Sequence, residues 1–335
     1  GFESHLLLHF ERAFKGSFLY VINLGMIINA GGRTDIVNYY SEWLLKRFQE
    51  GFVYSRNPFS PNVINKYILS SDLVDCVVLC SKNYRPILER LHEISDKFNI
   101  FCHYTITAYG KDIEPKVPDI DESIETLIKL SKIVGKERIS WRYDPILLTE
   151  KYTIERHCET FEYMAEKISP YISFCIFSFV ELYKKLDRNM PEIIPFTPAD
   201  KETLLTNLGA AAKKYNLRIQ TCALNEDYSK YGISQSGCIT SEILSKANNI
   251  NFKKVPHKGN RENCKCMPSR DIGAYDTCLN GCKYCYANKN PEIAFKNIKL
   301  HNPNSPLLIG EVNDNDIIKD GKQESFLTAR QMTIF

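Results

Sequence analysis

The chain has 335 residues, of which 44% are hydrophobic and 25% charged, and its formal net charge is +3. These values are ordinary for a globular protein with one large domain or two smaller ones. So small a net charge gives no reason to expect a nucleic acid or an anionic membrane as a partner.

Six apolar segments of strand type alternate with segments of helical periodicity in the first two thirds of the chain. The strands are predicted at residues 26–30, 74–80, 100–107, 139–143, 171–179 and 217–222. Repeated strand–helix alternation is typical of a parallel sheet, and right-handed crossovers place the helices outside it. The sequence therefore predicts an α/β fold, a TIM-like or partial (β/α)6 barrel with a Cys-rich C-terminal cap. A doubly wound open sheet is the alternative, although no G-x-G-x-x-G motif follows the first strand.

We expect three regions along the chain. Residues 1–25 are predicted to be an N-terminal extension, because their apolar run at 17–24 is too short to span a bilayer and no A-x-A cleavage site follows it. Residues 26–222 are predicted to form the barrel. After residue 222 the composition shifts to Asn, Gly, Lys and Cys. Residues 223–335 are therefore predicted to be a Cys-rich, metal-binding cap and tail.

Polar and charged side chains stand where several predicted strands end. In α/β barrels this edge builds the active site, so we expect cofactor-binding groups there. Arginine and lysine bind carboxylates or phosphates, and an aspartate can hold a ribose hydroxyl or an ammonium group. Alternatively, Arg33–Asp35 and Arg142–Asp144 are structural ion pairs. The candidate binding residues are Arg33, Asp35, Lys82, Asn83, Arg142, Asp144 and Gln220.

The most specific chemical signal is a C-x3-C-x2-C segment formed by Cys278, Cys282 and Cys285, with Tyr284 before the last cysteine. Thiolates at this spacing can hold three irons of one [4Fe-4S] cluster and leave the fourth iron open to a small chelating molecule. The segment resembles the loop of the radical S-adenosylmethionine (SAM) enzymes. That resemblance implies SAM bound at the open iron, and an electron donor that drives its cleavage to a 5′-deoxyadenosyl radical. A structural zinc site is the alternative.

The remaining cysteines fall into two groups. Cys76, Cys80, Cys102 and Cys175 lie in apolar runs, where a thiol usually behaves as a small buried hydrophobe. Cys222, Cys238, Cys264 and Cys266 lie outside those runs and are predicted to hold a second metal, either an auxiliary four-iron cluster or zinc. Alternatively, Cys222 packs at the end of the barrel and Cys238 has no special role. Clustered cysteines in a chain of this length favour metal binding in a reducing cytoplasm.

Two histidines are assigned structural places. His103 alternates with apolar neighbours inside a predicted strand, so we expect it to be a hydrogen-bonded group of the core. His157 lies on a polar helix and is expected at the surface. Neither is predicted to bind metal.

Several short motifs extend the resemblance beyond the cysteine loop. They are Gly32-Arg33-Thr34-Asp35, Arg56-Asn57-Pro58-Phe59, Tyr109-Gly110-Lys111-Asp112-Ile113-Glu114-Pro115, Trp141-Arg142-Tyr143-Asp144-Pro145, Gln220-Thr221-Cys222, Asp271-Ile272-Gly273-Ala274-Tyr275 and Asn304-Ser305-Pro306-Leu307-Leu308-Ile309-Gly310. With these motifs the chain resembles a bacterial family of radical-SAM-like, iron–sulfur proteins with a C-terminal C-x-C…C-x3-C-x2-C-Y-A cluster. The resemblance implies a barrel of the radical SAM type and a cluster on Cys278, Cys282 and Cys285, but no particular reaction.

The chain departs from the related patterns in three places. Radical SAM enzymes usually carry the three cysteines after the first strand, whereas here they follow the barrel. Ser81-Lys82-Asn83 stands where a G-G-E-like motif is expected. Gly31-Gly32-Arg33 replaces a Ser-Arg-Arg sequence of the family, which removes one cationic group.

The sequence thus predicts an iron–sulfur enzyme that uses SAM to act on a small polar or anionic substrate, without a nucleic-acid or membrane partner. The alternative is a non-enzymatic or electron-transfer protein, whose closed Fe–S or zinc sites hold the tail in place. A nucleic-acid repair lyase is disfavoured by the small net charge and the lack of a basic stripe.

Overall fold

The computed structural model describes residues 25–259 and 263–328. The predicted N-terminal extension therefore lies outside the described residues, apart from Gly25. Within these ranges the strands are β1 (Ile27–Ala30), β2 (Phe52–Arg56), β3 (Val63–Ile68), β4 (Cys76–Ser81), β5 (Ile100–Thr105), β6 (Ile139–Ile146), β7 (Phe174–Phe179), β8 (Ile219–Thr221), β9 (Ser234–Gln235), β10 (Arg270–Asp271) and β11 (Ile317–Asp320). The α-helices are α1 (Ile36–Tyr39), α2 (Ser41–Glu50), α3 (His92–Ser95), α4 (Ile120–Val134), α5 (Ile154–Ile168), α6 (Lys184–Asn189), α7 (Pro198–Lys214), α8 (Ser241–Asn248) and α9 (Pro291–Asn297).

A parallel, eight-stranded sheet forms the centre of the protein. Its order is β10-β1-β4-β5-β6-β7-β8-β9, and each neighbouring pair is parallel. The six strands expected from the sequence are neighbours in this sheet, so the prediction of an α/β fold with a parallel sheet is confirmed. Within the described ranges β9 and β10 do not pair with each other, and closure into a complete barrel is not observed.

Both faces of the sheet are buried, which explains why its strands read as continuous apolar runs. On one face Val77 belongs to the same buried cluster as Leu127 of α4 and Phe161 of α5. On the other face Phe101 belongs to a second buried cluster, together with Leu244 of α8. Burying a large apolar side chain contributes roughly 1.5–3 kcal/mol relative to leaving it exposed. The two clusters therefore hold the strands from both sides and fix where their ends lie.

The helix ends follow local sequence signals. Thr197 caps α7 by accepting a hydrogen bond from the backbone N–H of Asp200, and Pro198 occupies the first turn, as the Thr-Pro order predicts. Gly51 ends α2 in the left-handed conformation, with φ = 79°. These signals set the lengths of the helices and hence the loops at the strand ends.

The segment after residue 222 is built into the sheet. It supplies β9 and β10 at the two edges and α8, which belongs to the buried cluster on one face. Farther along, β11 pairs with β3 in a three-stranded sheet of order β11-β3-β2. Strands on both sides of the expected boundary at residue 222 thus share one sheet. Nowhere in the described ranges is a helix both long enough and apolar enough to cross a membrane.

The expected surface position of His157 is wrong. Its ring is fully buried, and it contacts the hydroxyl of Tyr143 through Nδ1 at 2.7 Å and the carbonyl of Leu147 through Nε2 at 2.8 Å. Burial lowers the pKa of His157 to about 4. The residues next to His157 in α5 are polar and suggest an exposed position, but its ring points inward and contacts Tyr143 of β6. His103, by contrast, is buried and hydrogen-bonded to Ser140 as expected.

Candidate functional site

A cavity of about 540 Å³ lies at the carboxyl ends of the parallel strands. Of the fourteen candidate residues from the sequence, all except Asn83 and Gln220 line it. Its wall therefore includes the three cysteines of the C-x3-C-x2-C segment, the four remaining candidate cysteines, the charged groups that follow β1 and β4, and the charged pair within β6. Side chains far apart in the sequence are thus brought around one space.

The two candidates outside the wall have structural contacts. Asn83 donates through Nδ2 to Asn38 at 2.9 Å, next to α1. Gln220 is buried in β8 and donates to the carbonyl of Gly237 at 2.9 Å. Gln220 therefore holds backbone in place, and Asn83 holds a side chain of α1.

The C-x3-C-x2-C loop docks on the turn that follows β5. The backbone N–H of Lys283 donates to the carbonyl of Ile113 at 3.0 Å, and the N–H of Lys116 donates to the carbonyl of Asn280 at 3.2 Å. Within the loop, the N–H of Cys285 donates to the carbonyl of Cys282 at 3.1 Å and closes a turn. These backbone contacts hold the cysteine loop at the carboxyl ends of the parallel strands, where the three thiols line the cavity.

The segment around α6 holds the end of the same loop. The ammonium group of Lys185 donates to the carbonyl of Cys285 at 2.6 Å and also to that of Asn288. The Tyr183 hydroxyl donates to the carbonyl of Tyr284. Carbonyls in a loop without regular structure are thereby satisfied by side chains, as buried backbone requires.

Asp35 links the loop after β1 to the cysteine loop. Its buried carboxylate accepts hydrogen bonds from the backbone N–H of Asn38 and Lys82, from the Ser81 hydroxyl and from the Asn280 side chain, at 2.6–3.1 Å. Burial raises the pKa of Asp35, and the hydrogen bonds oppose that rise. Since both oxygens are engaged with the protein, Asp35 positions its neighbours.

A buried carboxylate that sequence reasoning missed, Glu114, stands beside the cysteine loop. It is 2% exposed and accepts from Lys82 at 2.9 Å, from the Thr107 hydroxyl at 2.7 Å and from the Tyr284 hydroxyl. The aromatic residue of the C-x3-C-x2-C pattern is thus joined to a lysine that follows β4. The signal available in the sequence was an acidic residue in the turn after the third predicted strand.

The Arg142–Asp144 ion pair is present in the cavity wall, and the hydroxyl of Ser178 donates to the same aspartate. The proposed Arg33–Asp35 pair is not found. Arg33 lies 3.8 Å from Asp271 instead, because the Asp35 carboxylate is directed towards α1 and β4. One of the two structural ion pairs considered from the sequence is therefore observed.

The thiols of the cysteine loop are in an environment that disfavours free thiolates. Burial raises the pKa of Cys278 to about 12, although the backbone N–H groups of Asn280 and Asp35 oppose that rise. Burial, followed by the charge of Glu114, raises the pKa of Cys282 well above its ordinary value. Binding of a metal to these sulfurs must therefore displace protons. Hydrogen bonds from backbone N–H groups to sulfur suit thiolate ligands of an iron–sulfur cluster.

The other four candidate cysteines also converge. The sulfur of Cys238 lies 3.9 Å from that of Cys222 and 3.2 Å from that of Cys266. Hydrogen bonds with the thiols of Cys222, Cys238 and Cys264, followed by burial, raise the pKa of Cys266. In residues 25–259 and 263–328, no group of three or more His, Cys, Asp or Glu side chains is arranged around a common metal position. The sulfurs of this group contact one another.

The chain belongs to the family described as "Domain of unknown function (DUF1848)", whose model matches residues 27–287. A search of curated proteins finds no match. Among solved structures, the chain is similar to HydG, "a maturase of the [FeFe]-hydrogenase", at 8% identity and a TM-score of 0.33, over 64% of this chain and 58% of HydG. It is also similar to an endoglucanase at 10% identity and a TM-score of 0.24, over 63% of this chain and 88% of the endoglucanase. Likenesses this weak carry no functional conclusion.

Proposed function

We propose that the protein is an iron–sulfur enzyme of the radical SAM type, with a [4Fe-4S] cluster on Cys278, Cys282 and Cys285 and SAM at the open iron. The observation that carries the proposal is that these three thiols line the same cavity as Lys82 and Arg142. Cys278, Cys282 and Cys285 would hold the cluster, which would supply the electron for SAM cleavage and so for radical chemistry on a small polar or anionic substrate.

The residues around the cysteine loop fit a cluster with one open position. Asp35 and Glu114, the carboxylates whose charges act on Cys278 and Cys282, are already engaged. Asp35 accepts four hydrogen bonds from the protein, and Glu114 accepts from a lysine, a threonine and a tyrosine. Neither is therefore free to turn towards an iron without breaking buried hydrogen bonds. The cavity side of the loop remains for a small ligand.

The charges of the cavity wall suit a zwitterion such as the methionyl part of SAM. Two ion pairs stand at the wall, Lys82–Glu114 and Arg142–Asp144. Arginine can bind a carboxylate with two parallel hydrogen bonds, and Asp144 can accept from an ammonium group. In this assignment Arg142 and Asp144 orient the ligand, whereas Lys82 and Glu114 hold Tyr284 and with it the cysteine loop.

The test is anaerobic reconstitution with iron and sulfide, followed by SAM and dithionite, with 5′-deoxyadenosine as the measured product. The wild-type protein is expected to retain about four irons at this site and to form 5′-deoxyadenosine. Cys282→Ala should lose both. Cys158→Ala is the matched control, because Cys158 is a half-buried cysteine of α5 that does not line the cavity. A loaded wild-type cluster that forms no 5′-deoxyadenosine would refute the proposal.

A closed, structural cluster is the second candidate, and the position of Cys80 favours it. Cys80 is the penultimate residue of β4 and lines the same cavity as the three cysteines of the loop, so its thiol is available as a fourth ligand. Iron content separates the two candidates. If the site is open, Cys80→Ala keeps its iron, whereas a closed site loses iron in this variant.

A further inference from the structure

The second group of cysteines belongs to the buried cluster on the face of the sheet that α8 covers, and its members lie beside the strands at the two edges. Cys222 directly follows β8 and Cys238 follows β9, at one edge. Cys264 and Cys266 precede β10, at the other edge. Since β9 and β10 do not pair with each other in the described residues, contacts among these cysteines link the two edges. We call Cys222, Cys238, Cys264 and Cys266 the edge cysteines.

The distances between the sulfurs match those around one tetrahedral ion better than those around a cluster. Four thiolates that bind one zinc with bonds of about 2.3 Å lie roughly 3.8 Å from one another. The Cys222–Cys238 and Cys238–Cys266 distances are 3.9 and 3.2 Å. Thiolates of a four-iron cluster bind separate irons and must stand farther apart. The spacing of Cys222, Cys238 and Cys266 therefore suits a single ion better than a cluster, after small rotations of thiols that now contact one another.

Polar groups and close backbone contacts surround the edge cysteines. The backbone N–H of Cys238 donates to the sulfur of Cys266 at 3.2 Å. The two chain segments approach closely at Gly237, where a β-carbon would lie 2.5 Å from the carbonyl oxygen of Lys265. Nε2 of buried His103 lines the same cavity and has no hydrogen-bond partner among the described residues. Hydrogen bonds to ligand sulfurs and polar groups just outside the ligands orient those ligands and tune the metal they bind.

We propose that Cys222, Cys238, Cys264 and Cys266 form a second metal site, which binds one tetrahedral zinc-class ion and joins the two edges of the parallel sheet. Thiolate ligands in a tetrahedral set select zinc among the common divalent ions. In the described residues β9 and β10 do not pair with each other, so the ion would link the chain segments beside these two edge strands. This site does not depend on SAM chemistry at Cys278, Cys282 and Cys285.

The competing explanation is that the edge cysteines are packed thiols, which belong to a cluster of apolar side chains with Ile243 and Met267. Buried thiols do pack as small hydrophobes. Packing alone, however, does not account for four cysteines from three chain segments whose thiols hydrogen-bond to one another. A metal accounts for both the residue type and the convergence.

The experiment uses the full chain with Cys278, Cys282 and Cys285 all changed to alanine, purified under reducing conditions with zinc in the medium. Elemental analysis is expected to find about one zinc per chain and no acid-labile sulfide. X-ray absorption at the zinc edge should show four sulfur neighbours at about 2.3 Å. The proposal would be overturned if this variant bound no zinc. It would also be overturned if the zinc had nitrogen or oxygen neighbours instead of sulfur, or if the variant contained acid-labile sulfide.

A further change of Cys238→Ser or Cys266→Ser should remove the zinc, whereas Cys175→Ser should retain it. Cys175 is the matched control because it is equally buried in β7 but belongs to the other face of the sheet. If the serine variants fail to fold, the X-ray absorption spectrum of the triple alanine variant still shows whether the zinc has four sulfur neighbours. Zinc bound in this way by a wild-type protein that forms no 5′-deoxyadenosine would support the edge site while the SAM proposal fails.

Discussion

Replacing Glu114 by glutamine is predicted to destabilise the protein strongly, although the change keeps the side chain's shape. Glu114 is 2% exposed, and its partner Lys82 is 12% exposed in its side chain. The amide can still accept from Thr107 and Tyr284, but it removes the negative charge beside a nearly buried ammonium group. Breaking a buried ion pair on one side costs about 3–5 kcal/mol. The residual exposure of Lys82 places the expected loss at the lower end, about 3 kcal/mol.

The assay is urea unfolding of the protein without added iron or SAM, which isolates the ion pair from effects of a cofactor. The double variant Lys82→Met with Glu114→Gln should recover most of the loss, because an apolar replacement of a buried pair is often nearly neutral. Glu162→Gln, in the exposed pair with Lys214, is the matched control and should change the midpoint little. Equal midpoints for Glu114→Gln and wild type, or additive effects of the two single changes, would refute the reasoning.

Three other predictions follow from local contacts. Because burial holds the pKa of His157 near 4, below its unfolded value, the unfolded chain binds the extra proton first. The contribution of neutral His157 to the free energy of unfolding is therefore fully present above pH 6.5 and falls towards pH 4 by up to roughly 3 kcal/mol. The decline measured by urea unfolding should be smaller in His157→Gln, and an equal decline in both proteins would contradict this. Gly32→Ala places a β-carbon against the Asp271 carboxylate and should cost about 1–3 kcal/mol in urea unfolding, so an unchanged midpoint would show that the loop yields. Lys185→Met removes the contact to the Cys285 carbonyl and should make reconstituted protein lose iron to a chelator roughly tenfold faster; an unchanged rate would show that the loop is held by other groups.

The longer strands were predictable because parallel strands buried on both faces are continuous apolar runs. The two edge strands were not. Ser234–Gln235 and Arg270–Asp271 are polar pairs, and they adopt strand geometry because β8 and β1 offer them hydrogen bonds. Their place is set by the fold around them, and no local pattern marks it.

The site was predictable to the extent that spacing along the chain carries the chemistry. The C-x3-C-x2-C segment needs only local sequence, and the strand ends follow from the parallel order. Pairing is different. Arg33 was weighed as a partner of Asp35 because they are neighbours in sequence, yet Asp35 caps α1 by accepting from the N–H of Asn38, and Arg33 contacts Asp271.

Glu114 and the ring of His157 show the same limit. Glu114 lies in a turn of mixed polarity, and its partners come from the segments that follow β4 and β5 and from the cysteine loop. His157 lies on a helix with polar neighbours, and the hydroxyl that contacts it comes from β6. Contacts of this kind are decided by tertiary packing, which the periodicity of a single segment does not report.

The central claim is that Cys278, Cys282 and Cys285 hold a cluster whose open iron faces the cavity. The most direct measurement is the EPR spectrum of the reconstituted, reduced protein recorded with and without SAM. We expect a four-iron signal that changes when SAM binds and that is missing from Cys282→Ala. A strong signal with the same shape in both samples would contradict the claim, because it would mean that no iron of the cluster is accessible to SAM.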